Sequence, residues 1–407
     1  MKAIVFHGIG DVRLDTVKEP KVKEPTDAIV RLTASAICGT DLHFIRGTVP
    51  GMKPGTILGH EGVGVVEEVG KNVRNLKPGD RVVIPSTIGC GNCAYCRKGI
   101  YSQCDQANPN GKQAGTAFYG GPVLNGPFDG LQAELARTPF AHANLLKLPD
   151  QVTDDQAIVL SDIFPTAYFG ADIAGIRPGK TVAVFGCGPV GQLAIASCKL
   201  FHAGRIFAVD AVQERLELAR AQGAETIDFS QEDPIAALME LTDGIGVDCA
   251  IDAVGVDATL PEKGSAAAKA LEKMELAALK DERKEIAPRT NEDGDNWHPG
   301  NAPSIVLLWA ASALAKAGTL SIIGVYPHTA RRFPIGLAMN KNLSLRMGNC
   351  PHRKYLPLLI EMVRNGTIDP AELLTQRQPL MDAIAAYKEF DKRSPGWVKV
   401  ELQPQTH

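Results

Sequence analysis

"TVAVFGCGPVGQLAIASCKL", residues 181–200, joins a short β-branched strand to a helix through a glycine-rich turn. The turn follows the pattern G-x-G-x-x-G and consists of Gly186, Gly188, Pro189, Val190 and Gly191, with Cys187 between the first two glycines. Glycines in this pattern permit a tight turn, close approach of a pyrophosphate, and close packing of helix on sheet. Because the helix N-terminus carries a partial positive charge, the stretch predicts a dinucleotide-binding βαβ unit.

The next strand, "RIFAVD", ends at Asp210, 19 residues after Gly191. An acid at this distance bonds the adenosine ribose hydroxyls in dinucleotide-binding units, and its charge repels a 2′-phosphate. The position therefore favours NAD over NADP as the cofactor. Arg215 could neutralise part of this repulsion.

The sequence on either side of this motif changes in pattern and predicts two domains. The length of 407 residues also exceeds the usual size of a single domain. After about residue 165, strands and helices alternate, and "GVDCAIDAVG" and "GTLSIIGVY" supply two further strands. Such alternation is typical of a parallel doubly wound sheet. The first 150 residues instead contain short β-branched runs separated by Gly and Pro, as in an antiparallel barrel-like body. From roughly residue 346, two helices and a final strand are predicted.

Residues 261–303 interrupt the alternation of strands and helices. Their first half is rich in Ala, Glu, Lys and Leu and predicts a helix. Their second half is polar, contains Pro and Gly, and predicts a loop. The segment is either a solvated surface excursion or an element with a role over the cofactor.

Composition and charge exclude several functional classes. The net charge is −3 with both signs interspersed, so no basic stripe for nucleic acid and no polybasic membrane patch is present. No apolar run approaches the roughly 20 residues that span a bilayer. The N-terminal "MKAIVFHGIGDVRL" is typical of a strand and a turn and not of a signal peptide, so we expect a cytoplasmic protein. Nine cysteines, an odd number, favour reduced thiols over a disulfide framework.

Four of the cysteines form a cluster with the spacing C-x2-C-x2-C-x7-C: Cys90, Cys93, Cys96 and Cys104. Four thiolates at this spacing can enclose one tetrahedral Zn²⁺. A ferredoxin-type iron–sulfur run would have a shorter last spacer and a Pro after its fourth cysteine. A closed four-sulfur site has no open coordination position, so this zinc is predicted to be structural.

A second metal site is suggested by "SAICGTDLHFIRG" and "LGHEGVG", which contain Cys38 and His60. A catalytic zinc needs a third protein ligand and an open position for substrate. Asp41 is close enough in sequence to accept a hydrogen bond from a ligating histidine, and Glu61 is an alternative or transient ligand. Asp162 lies in the apolar run "AIVLSDIFPTAYFGA", where a carboxylate requires a compensating partner. It is either a cap or turn acid or a metal ligand.

Together these motifs resemble the zinc-dependent medium-chain alcohol dehydrogenase superfamily. The resemblance rests on "CGTDLH", "GHEGVG", "LKPGDRV", the four-cysteine lobe, "GCGPVG" and "AVDAVQERLELA", which occur in the order of that family. Within it, "LSDIFPTAYFGA" and "FDGLQAELARTPFAHANLLKLPD" are similar to the formaldehyde dehydrogenase branch. The resemblance implies an α/β fold: a GroES-like β-barrel catalytic domain (1–164 and 346–407, with a structural zinc lobe near 89–105) and a Rossmann coenzyme domain (165–345, with an insertion near 258–303).

The resemblance also implies roles for individual residues. Cys38, His60 and Asp162 would bind the catalytic zinc, Thr40 would take the alcohol proton, and His43 would pass it to solvent. Contacts with the cofactor would come from the glycine turn, Asp210 and Arg215, and from Thr166, Val254, Gly255, Gly324, Val325 and Lys399, of which Lys399 would reach the pyrophosphate. The substrate pocket would be lined by Val49, Ser86 and Val325.

The predicted function is hydride transfer between a small alcohol or aldehyde hydrate and NAD, with two zinc ions per chain, one catalytic and one structural. A polyol, butanediol or amino-alcohol dehydrogenase on the same scaffold is the alternative, and a non-catalytic NAD-binding protein is a remote one. The resemblance implies a homo-oligomer, with a tetramer favoured over a dimer, and no nucleic-acid or membrane partner.

Overall fold

The computed structural model describes residues 1–271, 273–286, 297 and 299–404, with the side chains of residues 273 and 274 left aside. Contacts divide the chain into two units. The first comprises described residues of Met1–Pro165, Asn291–His298 and Asn349–His407, and the second those of Thr166–Thr290 and Pro299–Gly348. The predicted domain boundaries, after residues 164 and 345, lie one and three residues from these divisions. The assignment of these ranges to a catalytic and a coenzyme domain stays a prediction.

The first part of the chain is strand-rich, as its β-branched runs predict. Its strands are β1 (Lys2–Gly8), β2 (Asp11–Thr16), β3 (Ala28–Ile37), β4 (Thr56–Ile57), β5 (Gly62–Val69), β6 (Arg81–Ile84), β7 (Thr87–Ile88), β8 (Ala117–Phe118), β9 (Leu135–Thr138) and β10 (Leu146–Lys147). Its helices are α1 (Gly39–Arg46), α2 (Ala94–Arg97), α3 (Ala141–Asn144) and α4 (Asp154–Ser161), and α5 (Ile163–Ile173) crosses the boundary between the units.

The second unit alternates strands and helices. Its strands are β11 (Thr181–Phe185), β12 (Arg205–Asp210), β13 (Glu225–Asp228), β14 (Val247–Asp252), β15 (Leu314–Ile322) and β16 (Ser344–Met347). Its helices after α5 are α6 (Pro189–Leu200), α7 (Gln213–Ala221), α8 (Pro234–Leu241), α9 (Ala266–Ala270), α10 (Lys273–Ile286), α11 (Ile305–Ala313) and α12 (Ile335–Asn340). The chain then returns to the first unit with α13 (His352–Arg364), β17 (Gln376–Pro379), α14 (Ala383–Asp391) and β18 (Val400–Gln403).

The second unit contains a six-stranded sheet in the order β13-β12-β11-β14-β15-β16, and every neighbouring pair is parallel. The order reverses between β11 and β14, so the carboxyl ends of these strands border the switch point at which doubly wound sheets bind nucleotides. The first unit is built on a seven-stranded, mainly antiparallel sheet in the order β10-β6-β5-β3-β18-β17, with β9 also pairing with β3. The predicted fold class, a Rossmann-type sheet with a separate β-rich domain, is confirmed.

The insertion contributes to the cores of both units. Its predicted helix is present as α9 and α10, and Leu271, directly after α9, and Leu279 of α10 are buried in the core of the second unit. Its predicted loop lies mainly outside the described residues. Trp297, which we predicted to lie within the coenzyme domain, is instead in the first unit, where it is buried in the same hydrophobic cluster as Ile4 and Phe6. Burial of this large aromatic side chain explains the difference.

Candidate active site

Three side chains from distant parts of the first unit converge in its interior. Cys38 is the N-cap of α1, His60 lies just before β5, and Asp162 ends α4. Their Sγ, ring-nitrogen and carboxylate ligand atoms all lie within 4.8 Å of one another, and all three residues are buried. The resemblance implied these three residues as ligands of one metal ion, and the structure brings them together.

The chemistry of these atoms fits a metal ion. Asp162 Oδ2 lies 3.7 Å from Cys38 Sγ and 3.3 Å from His60 Nε2. His60 Nε2 is buried and, apart from this contact with Asp162 Oδ2, has no hydrogen-bond partner, an arrangement that a coordinated cation would satisfy. Thiolate, imidazole and carboxylate are the donor types found around catalytic zinc. These residues would therefore hold the predicted catalytic ion.

The charges around His60 favour a cation at this position. Burial alone would lower the pKa of His60, but the negative charges of Asp41 and Cys38 outweigh burial and raise this pKa well above its ordinary value. Burial raises the pKa of the Cys38 thiol. A divalent ion would stabilise the thiolate and take the place of a proton on the imidazole.

Asp41 occupies the orienting position predicted for it. One of its carboxylate oxygens, Oδ1, is 3.1 Å from His60 Nδ1, and the other accepts a 3.0 Å hydrogen bond from the Cys38 backbone N–H. The His60 ring also packs against Phe118, with ring centroids 4.6 Å apart. These contacts direct Nε2 of His60 towards Cys38 and Asp162. Partners of this kind orient metal-ligating histidines.

The predicted proton-relay residues lie on α1, next to Cys38. Thr40 Oγ1 is 3.8 Å from Cys38 Sγ. His43 follows three residues later, on the same face of the helix, and its Nδ1 lies 3.5 Å from Thr48 Oγ1. Their part in proton transfer stays a prediction.

Glu61 and Lys399 require a different account from the one predicted. The Lys399 side chain is fully buried and donates from Nζ to Glu61 Oε2 and to the Ile37 carbonyl. It is therefore not placed to bind a pyrophosphate as predicted, because the buried carboxylate of Glu61 holds the ammonium within the first unit. Glu61 is not among the three converging ligands and has Oε2 engaged by this lysine.

His352 is the residue at this site that sequence reasoning missed. Its Nε2 lies 2.8 Å from Asp162 Oδ1 and 3.1 Å from Ser86 Oγ. Ser86, expected in the substrate pocket, is buried and donates a 2.9 Å hydrogen bond to the same Oδ1. No spacing or motif around His352 could have indicated this contact, which joins residues 190 positions apart.

The four clustered cysteines form a second group of convergent ligands. The Sγ atoms of Cys90, Cys93, Cys96 and Cys104 lie within 4.8 Å of one another, and all four residues are buried. Backbone N–H groups point at the sulfurs, including Cys93 N–H at Cys90 Sγ (3.3 Å) and Cys90 N–H at Cys104 Sγ (3.2 Å). Burial would raise the pKa of Cys93, but backbone N–H groups of Cys96 and Asp105 outweigh it and lower this pKa to about 7. The cluster fits a closed zinc site.

The glycine turn has the geometry that its pattern predicts. Gly186 adopts a φ of +87°, and Gly188 is the N-cap of α6 with Pro189 at its start. A Cβ on Gly191 would collide with the carbonyl oxygen of Gly186, so only glycine permits this packing of helix and strand. Val190 follows Pro189 in the first turn of the helix.

Asp210 and Arg215 lie beside this turn. Asp210 ends β12, and its Oδ2 accepts a 2.7 Å hydrogen bond from the backbone N–H of Cys187 within the turn. A Cβ on Gly188 would lie 3.6 Å from Arg215 Nη1, so the guanidinium is next to the predicted phosphate position. The carboxylate and the guanidinium are thus placed where either could affect the choice between NAD and NADP.

Two further loops of the second unit meet after β14 and β15, where we predicted cofactor contacts. Val254 and Gly255 donate backbone hydrogen bonds of 2.9 and 3.1 Å to Asp252 Oδ1. Gly255 packs directly on the backbone of Gly324 and Val325, which leaves no room for a Cβ. Thr166 lies in α5, at the start of the second unit. Contact of these residues with a nicotinamide stays a prediction.

A parallel nucleotide-binding sheet, combined with a β-rich unit that carries two convergent ligand groups, defines a zinc-type dehydrogenase. Residues 24–150 match the alcohol dehydrogenase GroES-like domain, and residues 189–288 match the zinc-binding dehydrogenase domain. The chain belongs to the zinc-dependent alcohol dehydrogenase family and is an oxidoreductase.

Individual relatives agree with this assignment. The chain is 37% identical to an uncharacterized zinc-type alcohol dehydrogenase-like protein, AdhB, of Bacillus subtilis, over 99% of this chain and 100% of that protein. It is 34% identical to a glutathione-independent formaldehyde dehydrogenase of Pseudomonas aeruginosa, over 97% and 96% of the two chains. The structure of alcohol dehydrogenase TADH from Thermus sp. ATN1 superposes with a TM-score of 0.79 at 32% identity and covers 99% of each chain.

Proposed function

We propose that the protein oxidises a small alcohol or aldehyde hydrate, or reduces the corresponding carbonyl compound, with NAD as the hydride carrier. The observation that carries the proposal is the convergence of Cys38, His60 and Asp162 within 4.8 Å in the first unit. Bound zinc supplies Lewis acidity, and bound NAD supplies the hydride acceptor. With one thiolate, one carboxylate and a neutral imidazole, the ligand set balances the charge of a divalent ion.

The chain's own residues would carry out the remaining steps. Thr40 would accept the proton of the substrate hydroxyl, and His43 would pass it on towards solvent. The turn at Gly186–Gly191 would hold the pyrophosphate, and Asp210 would bind the ribose hydroxyls. Formaldehyde, as its hydrate, is the substrate supported by the similarity to formaldehyde dehydrogenase. Oxidation of the hydrate would give formate.

Asp162→Ala tests the metal site. We expect the variant to lose one of two zinc ions per chain and nearly all dehydrogenase activity, because a single carboxylate ligand is removed. Zinc content is measured by elemental analysis, and activity by NADH absorbance. Ser161→Ala is the matched control, because this neighbouring buried hydroxyl donates to the Ile158 carbonyl and does not touch the ligands. Retention of both zinc ions and activity in Asp162→Ala would overturn the proposal.

A substrate panel tests the finer assignment. Purified enzyme is assayed with NAD and with NADP against formaldehyde, short primary alcohols, diols, polyols and amino alcohols. We expect turnover of formaldehyde or primary alcohols with NAD. Turnover of diols, polyols or amino alcohols alone would instead identify the alternative function. A chain that binds NAD but turns over none of them would point to a non-catalytic protein.

We further propose that the chain forms a homo-oligomer through the β16 edge of its parallel sheet, with a tetramer favoured over a dimer. Among the described residues β16 pairs only with β15, and its Met347 is 60% exposed. Met339 of the preceding helix α12 is 72% exposed. An unpaired strand edge with exposed apolar side chains suits pairing with a second copy. Light scattering should show dissociation of Met339→Asp/Met347→Lys, whereas Leu358→Lys on α13 should leave the assembly intact.

The described helices include none that is long and apolar enough to cross a membrane. All nine cysteines lie among the described residues, are buried, and form no disulfide, which supports our proposal of a cytoplasmic location.

A further inference from the structure

The two oxygens of the Asp162 carboxylate have different surroundings. Oδ2 points towards the other two ligands, 3.7 Å from Cys38 Sγ and 3.3 Å from His60 Nε2. Oδ1 instead contacts two hydrogen-bonding side chains: it lies 2.8 Å from His352 Nε2 and 2.9 Å from Ser86 Oγ. Both sides are buried, and each has its own chemical character: metal-ligating atoms on one side and hydrogen-bond donors on the other.

His352 is itself held in place by the chain around it. It is the first residue of α13, is 2% exposed, and has its Nδ1 3.0 Å from Thr87 Oγ1. Thr87 Oγ1 also lies 3.2 Å from the Cys350 carbonyl, just before the helix. Because the Asp162 carboxylate has no proton to donate, it selects the ring form with a proton on Nε2. That N–H donates to Oδ1.

We propose that His352 is a positioning residue that occupies Oδ1 of Asp162, so that the aspartate presents Oδ2 alone to the catalytic metal. Ser86, between β6 and β7, reinforces the same restriction by donating a hydrogen bond to Oδ1. A carboxylate that bound through both oxygens would fill the position that substrate requires. This role depends on the proposed catalytic zinc. His352 would orient the Asp162 carboxylate, just as Asp41 orients the His60 ring.

The test uses the full-length protein with His352→Leu and His352→Gln. Leucine removes the donor at similar volume, whereas the glutamine amide can still donate to Oδ1. We expect His352→Leu to weaken binding of the catalytic metal about 10- to 100-fold, measured by competition with a chelator, and His352→Gln to restore much of it. The visible spectrum of Co²⁺ in the catalytic site should change in His352→Leu. The zinc held by the four cysteines should be unaffected in both variants.

Ser86→Ala keeps the test decisive if His352→Leu does not fold. This small change removes the second donor to Oδ1, and we expect a weaker but measurable loss of metal affinity with a changed Co²⁺ spectrum. If folded His352→Leu, or Ser86→Ala in its place, keeps wild-type metal affinity and spectrum, His352 has only a structural role and the inference is overturned. If the wild-type enzyme binds only one metal ion per chain, the proposed catalytic zinc site is itself wrong. This outcome differs from a wild-type enzyme that binds two metal ions and a His352→Leu variant that binds them equally well.

Discussion

Lys399 and Glu61 form an ion pair in which both side chains are fully buried. The pair joins the residue before β5 to the residue before β18, next to the residues that would hold the catalytic metal. Burial of two charges is costly, and their mutual attraction compensates only while both partners are present. Loss of either partner would therefore leave an unpaired buried charge beside the candidate active site and lower the stability of the first unit.

Lys399→Met should destabilise the protein by roughly 3–5 kcal/mol, because it leaves the Glu61 carboxylate buried without its partner. Urea unfolding measures this loss. Replacement of both partners by apolar residues, in Lys399→Met/Glu61→Leu, should recover much of it. Lys392→Met, which breaks an exposed pair with Glu389, should cost less than about 1 kcal/mol. Equal effects of the two single variants would contradict the prediction.

Cys96→Ser should remove the structural zinc and leave the catalytic one. Because the four sulfurs are the ligands in a cluster that is buried in the core of the first unit, we expect a loss of more than about 3 kcal/mol of stability. Zinc analysis and thermal unfolding together check both effects. Cys198→Ala, at a buried cysteine of α6 outside both ligand groups, should retain two zinc ions. Two zinc ions in Cys96→Ser would refute the assignment.

Asp210→Ala should lower kcat/KM for NAD by about 10- to 100-fold, the effect of a lost charge-assisted hydrogen bond. The value for NADP should fall less or rise, because the charge that repels a 2′-phosphate is gone. Steady-state kinetics with both cofactors measures the ratio. Asp228→Ala is the matched control, since Asp228 pairs with Asp210 in register on β13. An unchanged NAD/NADP ratio in Asp210→Ala would argue against the role of this carboxylate.

Glu401 should make folding stability depend on pH. Burial raises the pKa of this carboxyl to about 7, with Asp155 and Asp154 adding to the effect and Gln403 and Arg377 opposing it. The folded state therefore binds a proton more tightly than the unfolded state, whose ordinary value is 4.5. Stability is lost as pH rises from about 4.5 to about 7, because the unfolded carboxyl ionises first.

Glu401→Gln should remove this dependence. Relative to wild type, the variant should gain roughly 2–3 kcal/mol between pH 5 and pH 8, measured by urea unfolding at each pH. Glu68→Gln, at an exposed position of β5, is the control for the effect on stability of removing a solvent-exposed carboxyl group. A constant difference between Glu401→Gln and wild type across this range would show that the buried carboxyl does not titrate as expected.

The sequence by itself determined those features that depend on short-range geometry. The turn from Gly186 to Gly191 and the spacing of Cys90, Cys93, Cys96 and Cys104 each lie within one local segment. Their glycine, strand and ligand patterns are sufficient to predict a nucleotide turn and a metal-binding lobe. The alternation of strands and helices likewise predicted the parallel sheet, which the structure confirms.

Only the tertiary structure decided contacts between distant segments. The resemblance implied that Asp162 meets Cys38, 124 positions away, but the contacts of Asp162 with His352 across 190 positions and of Lys399 with Glu61 across 338 came from the tertiary structure alone. The local periodicity of hydrophobic residues does not specify such contacts. They form only when sheets and helices pack together and the charges buried between them need partners. For this reason the sequence placed Lys399 at a pyrophosphate and overlooked His352, whereas the packed core pairs each with a carboxylate beside the candidate metal site.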